Sequence, residues 1–378
     1  MSIIDDPTGV YVGRVWLAEV NGPAIVTVRD GALFDITDRA APTVRDICEM
    51  ADPVAYVRGA EGRLLGPLDD IAAARPGDPV HLLSPCDLQA IKACGVTFAR
   101  SMVERVIEEK AAGDPAKAET IRARIGEKIG DSLKNLEAGS KAAARVKEAL
   151  IEEGLWSQYL EVGIGPDAEV FSKAQVLSSV GPGADVGLHP VSKWNNPEPE
   201  IVLAVSSTGR IVGATLGNDV NLRDVEGRSA LLLGKAKDNN ASAAIGPMIR
   251  LFDDRFKLDD VRRAELRLTV KGEDGYTMTG HSSMSEISRD PEMLVAQTIG
   301  THHQYPDGFM LYLGTLFAPT EDRDVKGEGF THKLGDRVTI EAAGLGRLTN
   351  TVRLSTACPP WTFGIRALMT NLGERDLI

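Results

Sequence analysis

The chain is 378 residues long, with 43% apolar and 25% charged residues, enough for one large globular domain and a smaller companion. Its net charge of -12 argues against nucleic acid as a partner, because phosphates call for a basic face. No apolar run reaches the length of a membrane span, so no membrane partner is expected. The start, Met1 to Asp6, lacks the basic and apolar stretches of a secretory signal, and a cytoplasmic setting is expected.

From the N-terminus, Ala24 to Val28, then Asp30-Gly31, then Ala32 to Ile36 predicts a β-hairpin. Arg75-Pro76-Gly77-Asp78-Pro79 reads as a boundary, so residues 1–84 are expected to form a small, mainly β domain and residues 85–378 the main domain. Between 101 and about 157 the pattern turns helical, with Ile121, Ile125, Ile129 and Leu133 on one face. Gly113-Asp114-Pro115 and Gly139-Ser140 mark helix ends. The many charges here read as solvated faces, and the block as a lid. Beyond residue 160 strands dominate, clearest at Ala264 to Val270, Phe309 to Thr315 and Arg337 to Ala342. Gly181 to Gly187 has the wrong spacing for a dinucleotide loop and reads as a turn. Cys48, Cys86, Cys94 and Cys358 form no C-x-x-C pair, so neither zinc nor a disulfide framework is expected.

The segment Trp194 to Leu203 carries the most chemistry. Glu198 and Glu200 are two apart at the mouth of the apolar run Ile201 to Val205, so in a strand they share one face. A Glu-x-Glu in a strand is most often a solvated face. Here Pro197 and Pro199 remove N–H donors and suit a strand entrance or edge, where sites tend to lie. Two converging carboxylates repel unless a cation sits between them, and a hard divalent ion with oxygen ligands resolves that conflict. Asp219 is spaced to return from the next strand as a further ligand. His302-His303 are adjacent and diverge in regular structure, so they read as surface or packing residues.

These motifs together resemble the fumarylacetoacetate hydrolase superfamily through most of residues 85–378. Phe171-Ser172-Lys173 looks like its F-x-K segment, and Ser179 to Gly183 like its Gly-Pro-Gly turn. Asn218 to Asp224 is close to its N-D-V-S-x-R-D stretch. Ala236-Lys237 with Ile245-Gly246-Pro247 resembles its A-K and G-P pair, and Leu313-Gly314-Thr315 its G-T-P, with Leu316 and Phe317 departing from it. The resemblance implies an α+β fold, mainly β with α: a mixed β-sandwich or roll beside a small N-terminal β domain and a helical lid. It implies Mg²⁺, with Mn²⁺ sharing its ligand preferences, on Glu198, Glu200 and Asp219. It also implies a homodimer or a dimer of dimers.

The departures sharpen the expected reaction. Family hydrolases read G-x-N-Y-x-x-H-x-x-E where this chain has Gly95 to Glu104, with Ser101 in place of the histidine. A His/Glu pair activates the attacking water in those enzymes, and serine cannot act as that base. The G-V-T-F-x-x-S-x-x-E form resembles the 2-keto-3-deoxypentonate dehydratase branch, in which a glutamate at the position of Glu169 also approaches the metal. That branch implies a small sugar-acid substrate, losing water through a metal-stabilised enolate to give 2,5-dioxopentanoate. Lys237, Glu104 and Ser101 are then the expected catalytic residues, and Thr315, Arg223, Asn218 and Phe98 the substrate contacts. Lys237 either pairs with the substrate or moves protons if burial lowers its pKa. The alternatives are a diketo-acid C–C hydrolase or an oxaloacetate-type decarboxylase on the same metal platform, and a non-catalytic sugar-acid or metal-binding protein.

Overall fold

The computed structural model describes residues 3–112, 114–121, 133, 136–152, 154, 156–319, 321–326 and 329–378. Its first strands are β1 (Tyr11–Leu17), β2 (Gly22–Arg29), β3 (Ala32–Asp35), β4 (Arg63–Pro67) and β5 (Val80–Leu83). There follow β6 (Ala90–Gly95), β7 (Glu169–Ala174), β8 (Asp185–Leu188), β9 (Pro199–Val205), β10 (Ile211–Asp219) and β11 (Ala243–Leu251). The last are β12 (Glu265–Lys271), β13 (Thr277–Ser283), β14 (Phe309–Tyr312), β15 (Arg337–Ala342) and β16 (Gly346–Leu354). Among the described residues these form an eleven-stranded sheet, β4-β3-β2-β1-β11-β10-β9-β14-β6-β7 with β5 beside β1, and a five-stranded sheet, β13-β12-β15-β16-β8.

The expected hairpin is present, with β2 and β3 joined at Asp30-Gly31. β1 carries the N-terminal strands onto the main sheet by pairing Tyr11 with Arg250 and Val12 with Ile249 of β11. β9 lies between β10 and β14 and is buried on both faces. Ile201, Leu203 and Val205 enter a core shared with Leu268, Ile340 and Leu348 of the second sheet. Val202 and Ala204 pack on the other side with Ile245, Met310 and Tyr312. That two-sided burial is why its sequence is a continuous apolar run. Each such side chain contributes roughly 1.5–3 kcal/mol when fully buried, which anchors the strand carrying the acidic pair.

β12 is offset by one residue from its expected span, and β15 matches it. The strand expected over Phe309 to Thr315 stops at Tyr312. Gly314 turns the chain there with φ +87°, and a Cβ at that point would fall 2.1 Å from Thr97 Oγ1.

The helical block holds the helices Ala99–Ala111, 115–121, Lys141–Glu152 and Gln158–Ile164. Ile121 and Leu133 are helical as expected, whereas Ile125, Ile129 and Gly113 lie outside the described residues. Met102, Val106 and Ile107 pack the first helix against Leu150, Leu160 and Trp194. Its charges are not all solvated, contrary to expectation: Glu104 and Glu108 are buried, and Arg105 nearly so. The four cysteines are free and buried, and His302 and His303 are exposed. No described helix is long and apolar enough to cross a membrane.

Candidate active site

The antiparallel pairing of β9 with β10 sets Glu200 opposite Gly217 and Pro199 opposite Asn218. Pro199 therefore opens a central strand rather than an edge. The Asp219 N–H donates to Glu198 O at 3.0 Å, and the Glu198 N–H donates to Asn218 Oδ1 at 3.1 Å. Asn218 thus fixes the backbone of the acidic pair. Glu198, Glu200 and Asp219 are all buried, and one oxygen of each lies within 4.8 Å of the others. Among the described residues this is the group of three that could hold a metal ion.

Cations stand on two sides of the triad. Lys237, at the end of the helix Leu233–Lys237, places Nζ 2.5 Å from Glu198 Oε2 and 3.1 Å from Asp219 Oδ2. Lys173 of β7 is fully buried, with Nζ 2.9 Å from Asp219 Oδ1 and donating to the Lys237 carbonyl. Arg105, on the helix Ala99–Ala111, takes the other oxygen of Glu198. Its Nη2 lies 2.5 Å from Glu198 Oε1, and its Nη1 lies 2.7 Å from Glu108 Oε2 and 3.1 Å from Glu226 Oε2. Glu200 has none of these cations; its Oε2 accepts from the Gly314 N–H at 2.7 Å.

The resulting charge balance is uneven. Leaving aside the Glu108–Arg223 pair, five carboxylates (Glu169, Glu198, Glu200, Asp219, Glu226) face three cations (Arg105, Lys173, Lys237). Burial, reinforced by Asp219 and Glu198, raises Glu200 well above the usual carboxylate range. Glu169 is pushed up to about 7 by burial and then by Glu226. Burial also raises Asp219, but Lys173 and Lys237 reverse this and leave it below its ordinary value. Burial would lower Lys237, yet Asp219 and Glu198 outweigh it and hold the ammonium charged. The lowered lysine expected for proton transfer is therefore not the one observed. Two more carboxyl groups than cations, with their oxygens clustered, make the donor set that suits one hard divalent ion.

Ser101 and Thr315 line the same cavity as the triad, with Glu169, Phe171, Cys94 and Gly314. Ser101 Oγ donates to Phe98 O at 2.9 Å, and Thr315 Oγ1 accepts from the Phe317 N–H at 3.1 Å. Glu169 opens β7 opposite Gly95, where a Cβ would fall 1.8 Å from Glu169 Oε2, so only glycine leaves room for the acid. Four expected site residues stand back from the cavity. Phe98 is a core side chain, Asn218 braces Glu198, and Glu104 lies 3.8 Å from Arg223 Nη2. Arg223 bonds Glu108 at 2.5 Å and the Pro319 carbonyl at 3.0 Å, and its guanidinium sits 4.2 Å from the Trp194 ring centre. Sequence reasoning missed Arg105, Glu226 and Lys173 as site residues. Lys173 lay within a recognised motif, Glu226 lies two residues beyond the end of another, and Arg105 follows Ser101 by one helical turn. The cavity measures about 20 Å³, room for one water or a bare ion.

Residues 164–353 match the family described as fumarylacetoacetate (FAA) hydrolase, C-terminal. A probable 2-keto-3-deoxyxylonate dehydratase of Haloferax volcanii is 31% identical over 53% of this chain and 65% of its own length. A 2-dehydro-3-deoxy-D-arabinonate dehydratase of Saccharolobus solfataricus is 29% identical over 49% of this chain and 58% of its own. The match thus spans less than two thirds of either relative. A solved 2-keto-3-deoxy-D-arabinonate dehydratase, complexed with magnesium and 2,5-dioxopentanoate, shares the fold. Its TM-score is 0.64 at 19% identity, covering 91% of this chain and 99% of that one.

Proposed function

The chain belongs to the fumarylacetoacetate hydrolase family, and from that footing we propose that it is a Mg²⁺-dependent hydro-lyase that dehydrates a 2-keto-3-deoxypentonate. The substrate is the xylonate- or arabinonate-derived acid and the product 2,5-dioxopentanoate. One observation carries this reading: an acid-rich, cation-poor cavity whose described wall residues include no histidine. The dehydratase names of both relatives support the same reaction class.

A divalent ion on Glu198, Glu200 and Asp219 supplies Lewis-acid polarisation to the oxygens of a 2-keto acid. The protein supplies the rest. Lys237, held charged at the triad, faces the negative charge that builds on the keto oxygen as a proton leaves C3. Thr315 and the Gly314 turn form the wall beside Glu200 and hold the acid head. Glu169 lines the cavity beside the triad, in the room that Gly95 leaves for its carboxyl, so we assign it the proton transfer. Ser101 offers a hydroxyl to the sugar-acid chain rather than a base to water. Loss of the C4 hydroxyl with that proton, and tautomerisation toward C5, gives the aldehyde without an attacking water.

The test is direct. Purified protein with 2-keto-3-deoxyxylonate or -arabinonate and Mg²⁺ is expected to release 2,5-dioxopentanoate, read with a coupled aldehyde dehydrogenase. Chelation stops the reaction and added Mg²⁺ restores it. Cleavage of an acylpyruvate with no semialdehyde from either sugar acid overturns the reading.

A further inference from the structure

We propose that Arg105 is a specificity residue of this site, released from Glu198 when a divalent ion binds and then donating to the hydroxyl-bearing end of the substrate. The inference rests on the reaction proposed above and adds a residue that neither the family motifs nor the relatives' names assign.

Two features of the cavity need a common explanation. Both oxygens of Glu198 are taken by protein cations, Oε1 by Arg105 at 2.5 Å and Oε2 by Lys237 at 2.5 Å. In that arrangement Glu198 is committed and cannot serve an ion. The cavity is also far too small for a five-carbon acid, at about 20 Å³. One of the two cations has to yield, and the geometry points to Arg105. Lys237 is also bound to Asp219 and packs over the Phe171 ring, its Nζ 5.8 Å from the ring centre. Arg105 has two other carboxylates, Glu108 and Glu226, both on its Nη1. Losing Glu198 therefore costs it one partner of three.

An ion of charge two at the triad both attracts Glu198 and repels the guanidinium. Glu108 is in turn fixed by Arg223 at 2.5 Å, so the anchor of Nη1 does not move with the cavity. What is freed is Nη2, whose N–H groups then face the space where Glu198 had been. Arg105 and Ser101 lie one helical turn apart on the same face and both line the cavity. Thr315, Gly314 and Lys237 line the rest of the cavity, and the 2-keto acid head is assigned to them by the reaction proposed above. The helix wall thus meets the other end of the substrate, where C4 and C5 carry hydroxyl oxygens. A guanidinium, with its planar fork of donors, suits such oxygens.

The experiment uses Arg105→Gln and Arg105→Lys in the full chain. Mn²⁺ affinity is titrated without substrate by electron paramagnetic resonance. Arg105→Gln, lacking the competitor for Glu198, is expected to bind Mn²⁺ about tenfold more tightly, and Arg105→Lys to stay within about threefold of the parent protein. Turnover of a 2-keto-3-deoxypentonate is then compared with that of 4-hydroxy-2-oxopentanoate, which lacks the C5 hydroxyl and dehydrates to a 2-oxopentenoate rather than an aldehyde, so both are followed as loss of substrate. The parent protein should prefer the pentonate by about 10- to 100-fold in kcat/KM, the range for a hydrogen bond to a charged donor. Both variants should lose most of that preference through KM, with kcat less affected. Arg105→Lys keeps a cation against Glu108 and Glu226, so it answers the question even if Arg105→Gln folds poorly. Unchanged Mn²⁺ affinity in Arg105→Gln, or full retention of the C5 preference in either variant, overturns the proposal. No turnover by the parent protein counts against the proposed reaction, while the Mn²⁺ titration still decides the exchange at Glu198.

Discussion

Two charge clusters, one centred on the buried Asp336 and one on the cavity, handle charge in opposite ways. Asp336, fully buried, accepts from Arg323 at 2.5 and 2.8 Å and from the Lys333 N–H at 3.0 Å, with His332 Nδ1 2.9 Å away. Burial pushes its carboxyl up, but the bonds from His332 and Arg323 more than reverse this and hold it well below the usual range. Asp274 and Asp324 pair with the Lys333 ammonium at 3.0 and 2.7 Å. This cluster fastens its loop to the segment before β9, where the His332 N–H donates to Asn195 Oδ1 and Thr331 Oγ1 donates to Lys193 O. Every acid in it has a cation. Around the cavity the acids outnumber the cations, and Glu200 and Glu169 hold their protons well above the ordinary range. A satisfied buried cluster is a staple; an unsatisfied one is a binding site in waiting.

The contrast is broken or sharpened first at the triad. Glu200→Gln and Asp219→Asn should each lower Mg²⁺-dependent kcat/KM by about 1000-fold or more, since each removes a charged ligand from a buried ion. Asp336→Asn should do the reverse, costing about 3 kcal/mol in urea unfolding while leaving kcat per folded molecule near that of the parent. Turnover that fell with Asp336→Asn as far as with Glu200→Gln would erase the distinction. Added Mg²⁺ gives the third measure. At one hundred times its dissociation constant it should stabilise the parent protein by about 2.7 kcal/mol, and Glu200→Gln by much less. Equal stabilisation of both proteins would place the ion elsewhere.

The residues at and around the site differ in how legible they were. Glu198 and Glu200 could be read because a period of two puts them on one face, and prolines flanking a two-sided apolar strand mark its entrance. Arg105 could not. Its helix interleaves charges with Met102, Val106 and Ile107, and no pattern along one helix reveals that a second chemistry-bearing wall faces part of its charged side. Phe98 illustrates the opposite error. An aromatic residue inside a site motif invites a substrate contact, yet the inter-sheet core claims it completely. Thr315 was expected in a strand, and the close approach of Gly314 to Thr97 bends it out to the cavity. Local spacing found the clustered carboxylates; the counter-charges that tune them come from sequence-distant elements.

The smallest expected effect tests the charge excess itself, through pH and without metal. Glu169 has a folded pKa of about 7 against an ordinary 4.5. Between those values the unfolded chain has already lost the proton that the folded protein keeps, so the fold binds more protons than the unfolded state. Stability of the metal-free protein therefore falls as pH rises through that window. Glu200, also raised, acts in the same direction. The staple has the opposite sign: Asp336 is depressed, so its contribution is present at neutral pH and lost only as pH falls into the acid range. Glu169→Gln should flatten the metal-free decline between pH 5 and 7.5 by about 1–2 kcal/mol, read as the difference in urea unfolding free energy at the two ends. Asp336→Asn should leave that decline in place, since its own titration lies below the window. A decline of the same size in Glu169→Gln as in the parent would mean that the cavity's acids are already balanced, and the reading of this cluster as a vacancy for a divalent ion would lose its electrostatic basis.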